Sequence, residues 1–479
     1  MSASKPPRQE ADVLCFRAFP LDICVHRACH LQKSFPNRDR EGAALPDRCN
    51  LVLDRRCRIG AVIAIFVAGP AFLAPAQTID EALAPVDHPA IRYYQGALDD
   101  RVSHLIKDMR DGKVKLAPRA GGTGFLPGLL SALGVNPDSQ VMVFSKTSFQ
   151  AARISPHNPR AIYFSDDVTV GYVRGSNLLE VADLDPKQGI IFYSFDQEAD
   201  PPRFDRRDVC LQCHESKGTL GVPGLLVASV YPDADGMPAF MGAQQLTDHR
   251  SRFEERWGGW YVTGTHGDMR HLGNAVGHER DHPEILDTRG TLNLTSLAKK
   301  FDPAGYLSAT SDIVALMTLE HQTRMTDLII RVGWEARIAE HDGKADGQPY
   351  KDARARYEGD LNALVTYMLF ADESPLQADV TGVSTFTKTF PERGPRDAKG
   401  RSLRDFDLHQ RLFRYPLSYM IYSDAFDSLP ESVRADVYRK LYDALTGRDA
   451  RLSGGDKTAI FEILRDTKAG LPAYWSKAK

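Results

Sequence analysis

The run Ala161-Ile162-Tyr163-Phe164-Ser165-Asp166-Asp167-Val168-Thr169-Val170-Gly171-Tyr172-Val173 decides the reading of the fold. Two stretches of β-branched and aromatic residues flank a pair of aspartates. Such side chains suit a pleated, half-buried surface, and adjacent aspartates mark a turn. The same texture recurs on either side, over 140–145 and 189–195, punctuated by Pro156, Pro159, Gly175 and Asp185-Pro186. The spacing predicts strands at 140–145, 161–164, 169–173 and 189–195 in a small antiparallel sheet.

Helical patterning surrounds this core. Apolar residues recur at helical spacing over 91–109, behind His88-Pro89. The break Gly121-Gly122-Thr123-Gly124 precedes a short apolar helix at 126–133. Helices are predicted again at 312–341, 357–370, 408–426, 431–445 and 457–468, with Ser311 or Asp312 and Ser453 as N-caps. Between sheet and helices, 216–290 is rich in Gly, Pro and His and reads as loops. The expected fold class is α+β, with a mixed, strand-containing domain at 77–200, a loop-rich segment at 201–290 and a mainly helical region at 291–479.

The loop-rich segment contains Cys210-Leu211-Gln212-Cys213-His214. This is the spacing of a covalent haem attachment site, in which two thiols add to the vinyl groups and the adjacent histidine supplies an axial nitrogen to iron. A zinc site would need further cysteines or a tight histidine pair. A thioredoxin-like motif would need a strand before it and a helix after it, where this chain has Asp205-Arg206-Arg207-Asp208 and a Gly- and Pro-rich stretch.

Export is expected from the amino-terminal side. Arg55, Arg56 and Arg58 precede an apolar run over 59–73, and Ala74-Pro75-Ala76 supplies small residues for cleavage, so 51–76 reads as a signal peptide. An uncleaved anchor is the alternative. Residues 1–50 read as an unstructured or spurious extension ahead of the true start. Of the seven cysteines, only Cys210 and Cys213 lie beyond residue 76, so no disulfide framework competes for them. Residues 77–479 carry 49 Lys and Arg against 56 Asp and Glu, a net charge near −7 that argues against nucleic acid as a partner. No apolar run after residue 76 is long enough to span a bilayer.

At Cys210–His214 the chain resembles c-type cytochromes, and over 360–370 it is similar to the last helix of the small members. With its greater length around one motif, it looks like the large single-haem exported cytochromes, whose activity is uncharacterised. The resemblance implies one covalent haem c, a redox-capable iron held by His214, exported redox partner proteins and a periplasmic or otherwise exported location.

The other side of the iron is read from the histidines downstream. His266, within the Gly- and aromatic-rich stretch 257–267, is the first candidate for a second axial ligand. His271 follows, then Met241 or Met269. His278 and His282 have a spacing that suits a second metal, although Pro283 disfavours a helix there. Arg401, Arg404, Arg411 and Arg414 read as a solvated helix face or as partners of haem propionates. Tyr415, Tyr419 and Tyr422 recur at helical spacing and read as a core or groove face rather than a radical relay, and Asp372-Glu373 as a solvated helix end. The expected function is electron transfer by a mono-haem cytochrome. The alternatives are a haem-dependent oxidoreductase with an open sixth iron position and a haem-based ligand-binding protein.

Overall fold

The computed structural model describes residues 83–476, except 120, 240–243, 280–281, 283, 346–349 and 448–450, and no side chain from 345 to 353. The described residues belong to one compact unit. The extension expected at 1–50, the signal peptide expected at 51–76 and Met241 lie outside the described residues.

The fold is α+β. Strands β1 (Val141–Val143), β2 (Arg160–Phe164), β3 (Val168–Val173), β4 (Leu178–Asp185), β5 (Gly189–Asp196) and β6 (Arg203–Arg206) form an antiparallel meander. With β9 (Trp260–Tyr261) the order is β6-β5-β4-β3-β2-β1-β9, and a two-stranded ribbon pairs β7 (Ala228–Ser229) with β8 (Gln245–Leu246). The sheet is wider than the sequence suggested. Strand β4 escapes notice because Glu180, Asp183 and Asp185 give it the texture of a loop. Inside the protein each acid has partners. Glu180 meets Arg160 at 2.7 Å, Asp183 accepts from Val102 N–H, and Asp185 accepts from the N–H groups of Asp99, Lys187 and Gln188.

Among the described residues the helices are α1 (Arg101–Arg110), α2 (Leu126–Ala132), α3 (Leu211–His214), α4 (Ile313–Ala345), α5 (Tyr350–Met368), α6 (Phe386–Glu392), α7 (Asp424–Asp427), α8 (Glu431–Thr446) and α9 (Gly454–Thr467). Helix α1 starts ten residues later than its periodicity implied. Asp100 caps it by accepting from Ser103 N–H, while Arg92 adopts φ 54° and the Tyr93 hydroxyl reaches Ile190 O, so 91–99 is held as turns against β5. Ser453 caps α9 as expected, and Asp312 accepts from the N–H groups of Val314 and Ala315 at the start of α4.

The expected helix at 408–426 does not form. Leu408 sits at φ 60°, the Asp407 carboxylate takes the N–H groups of His409 and Gln410, and Phe406 bridges to Phe413. Pro416 would have broken a helix in any case. The segment becomes a tight turn, a 3-10 turn at Tyr419–Tyr422 and the short α7.

Helix α4 is the axis of the carboxyl-terminal half. Ile313, Leu316, Ile329 and Trp334 are buried along it, and so are Glu320, His321 and Asp327. A helix buried on every side must find a partner for each polar group it carries inside. No helix of the described residues is long and apolar enough to cross a membrane.

Candidate functional site

Cross-strand register places Arg160, Gly171, Glu180, Ala182 and Phe192 on one face of the sheet. The cysteine–histidine segment lies against this face, immediately after β6. A 3-10 turn at Asp208–Cys210 runs into α3, so Cys210, Cys213 and His214 fall within little more than one helical turn. Cys210 is half-buried, Cys213 is exposed, and both thiols are free. The His214 ring packs on Phe192 with centroids 4.8 Å apart.

Backbone contacts fix the orientation of His214. Its Nδ1 lies 3.0 Å from Gly224 O, while its own carbonyl accepts from Gly224 N–H at 2.9 Å. Thr219 Oγ1 donates to the carbonyls of Val222 and His214 and ties the loop between them. With Nδ1–H given to a carbonyl, the neutral imidazole carries its free lone pair on Nε2. Nε2 has no hydrogen-bond partner among the described residues.

Electrostatics on this face favour a neutral imidazole. Burial pushes the His214 pKa below its ordinary value. Burial, and then Glu180, push the Cys210 thiol up. Burial opposes ionisation of Glu180. Arg160, with hydrogen bonds from Ser148 and Gln150, overcomes it and holds the carboxyl below its usual range. A ligand with a free nitrogen on a fixed ring, beside two unpaired thiols, suits an electrophilic macrocycle with a metal at its centre.

His266 is placed elsewhere. It is 1% exposed, its Nε2 accepts from Asn293 N–H at 3.3 Å, and its ring sits 4.9 Å from His271 and 5.6 Å from Phe253. Among the described residues no ring contact or hydrogen bond links His266 or these neighbours to His214. His271 is buried beside Trp257, and its Nδ1 accepts from Gly273 N–H. Burial, and then His266, depress its pKa to about 3. Met269 Sδ accepts from Gln377 N–H.

These residues belong to a second buried polar cluster centred on α4. Glu320 takes hydrogen bonds from Trp257 Nε1 and Arg256, and His321 joins His249, at 2.9 Å, to Ser418. Glu373 lies at its edge and is not a solvated helix end: it accepts from Leu412 N–H, and burial raises its carboxyl to about 7.

The remaining sequence candidates serve the scaffold. Exposed His278 and His282 pair separately with Asp287 and Glu284, so they do not converge on a metal. Arg401 and Arg411 are held by Asp397 and Asp456. Arg404 is 4% exposed, pairs with Asp166 and stacks over Phe390 and Tyr419, which removes it from any solvated face. Among the described residues, His88, His341 and Asp342 form the group of three close metal-ligand types. Ala90 N–H donates to His88 Nδ1, which leaves the proton on Nε2 facing Asp342, and Arg356 holds the same carboxylate. That arrangement is an ion-pair cluster.

No protein-family model matches the chain, and neither a curated protein nor a solved structure matches it.

Proposed function

We propose that the chain is an exported mono-haem c-type cytochrome that transfers electrons between exported redox partner proteins. One observation carries this reading: two free thiols and a histidine whose Nδ1 is committed to Gly224 O stand within little more than one helical turn. Cys210 and Cys213 would hold the macrocycle covalently, and His214 would supply the axial nitrogen. Iron in such a site exchanges one electron at a time. Gly224 fixes the tautomer and swing of the ligand. Phe192 and the sheet behind it keep water from its buried face.

A second reading, a haem-dependent oxidoreductase or ligand-binding protein with an open sixth iron position, is supported by the lack of any ring contact or hydrogen bond between His266 and His214 among the described residues. The two separate on coordination. Low-spin iron indifferent to carbon monoxide when reduced supports electron transfer, and high-spin iron that binds it supports the second reading. The covalent cofactor is tested by haem staining of a denaturing gel. Signal in the parent protein and its loss in Cys210→Ala/Cys213→Ala is expected; an unstained parent overturns the proposal.

A further inference from the structure

We propose that Asp327 is a positioning residue that tunes the reduction potential of iron held by His214, acting through the Gly224–Leu225 peptide group and making that potential depend on pH. The inference rests on the haem reading above. Its basis is one planar peptide unit with both ends engaged. Gly224 C=O faces His214 Nδ1 at 3.0 Å, and Leu225 N–H donates to Asp327 Oδ1 at 3.1 Å. The two groups belong to the same conjugated amide. A negative charge on Asp327 polarises that amide and makes its carbonyl a stronger acceptor. The acceptor strengthens the bond from Nδ1–H, and the imidazole becomes a better donor at Nε2. A better donor, with a nearby negative charge, favours the more oxidised metal.

Two further features fit this role. Gly224 does not occupy the left-handed region, so backbone freedom does not explain it. A Cβ there would lie 2.2 Å from Asp327 Oδ1, so glycine is what lets the carboxylate approach the peptide. Asp327 Oδ2 is buried without a hydrogen-bond partner. Asp327 also lines a cavity of about 260 Å³ that includes Leu225, Thr323 and Arg324, through which a proton can reach it. The charged groups facing it are Arg324 on its own helix, and Asp248 and Arg250, paired with each other, on the segment across the cavity. Burial pushes the Asp327 carboxyl well above the usual range, and Arg324 and the Leu225 N–H oppose it. Asp327 is hydrogen-bonded to Leu225 N–H and to neither His214 nor a cysteine.

The test is a potentiometric titration of the full-length haem-loaded protein from about pH 5 to about pH 9. The parent potential is expected to fall as pH rises through the carboxyl titration. Asp327→Asn keeps an oxygen for Leu225 N–H and cannot ionise. Its potential should be flat over that window. At the alkaline end it should favour the ferrous form about tenfold more than the parent, or about 59 mV for one electron. Gly224→Ala, which displaces the carboxylate, should move in the same direction. A redox-difference infrared spectrum should show a protonated-carboxyl band that Asp327→Asn lacks. A flat parent profile, or an Asp327→Asn variant with the parent slope, overturns the role of Asp327. Haem staining of the same preparations separates the two failures, since absence of covalent haem overturns the functional reading itself.

Discussion

Arg160 on β2 and Glu180 on β4 meet at 2.7 Å across Gly171 of the strand between them. A Cβ on Gly171 would press against Glu180 Oε2 at 3.0 Å, so the missing side chain opens the path for the pair. The bridge crosses three strands on the face that carries His214, where Ser148 and Gln150 also bind Glu180.

Glu180→Gln should therefore leave Arg160 without its counter-charge at a site where both side chains are less than 20% exposed. A loss of about 3 kcal/mol is expected from breaking such a pair on one side, read from the midpoint shift in chemical denaturation at neutral pH. A shift below about 0.5 kcal/mol would place the pair among ordinary surface ion pairs.

Acid should unfold the protein early. His249, His266, His271 and His321 all have pKa values depressed by burial, His271 to about 3. A depressed folded value means that the unfolded chain binds more protons below the unfolded value of about 6.5. The stability these groups contribute is complete above that pH and lost as pH falls toward the folded values. Each fully depressed histidine accounts for about 1.4 kcal/mol per pH unit. A melting temperature that stays level from about pH 7 to about pH 5 would contradict this.

Asp312→Ala should be among the costliest single changes in the helical half. One carboxylate oxygen takes Val314 and Ala315 N–H, and the other takes Val383 and Ser384 N–H, with Asp312 fully buried. Two buried and two part-buried donors lose their acceptor together, so a loss of about 4 kcal/mol is expected. Hydrogen exchange would place the opening at the first turn of α4 and around residue 383; uniform protection would refute the local assignment.

If the proposed haem is bound, His266→Gln should leave its optical and EPR spectrum unchanged, because the His266 ring contacts Phe253 and His271 and has no contact with His214. A change from low-spin to high-spin iron in this variant would instead make His266 an axial ligand.

The parts of the fold legible in the sequence are those where local chemistry and final environment agree. Strands β2, β3 and β5 announce themselves through Val, Ile, Phe and Tyr, and α4 through its cap at Asp312. Strand β4 does not, because Glu180, Asp183 and Asp185 make sense only once Arg160 and the backbone of 99–102 are beside them. Leu408 shows the opposite error: periodicity suggested a helix that a positive φ and Pro416 exclude. At the site, Cys210, Cys213 and His214 could be read directly as a motif. The partner of the Gly224–Leu225 peptide could not, since Asp327 is 102 residues away and carries no local signature. The second buried cluster was visible only as a surplus of histidines. Its organisation depends on Glu320 and His321, which face inward from a helix buried all round.

The two ends of the seven-stranded sheet are its shortest or most charged members. Strand β9 has two residues, and β6 is Arg203-Phe204-Asp205-Arg206, with Arg203 and Asp205 paired and largely exposed. A growing fibril or a misregistered neighbour needs a long run of unpaired amides to extend, and these margins offer a short one and a charged one. A chain that folds among others of its kind is thereby guarded against pairing with them.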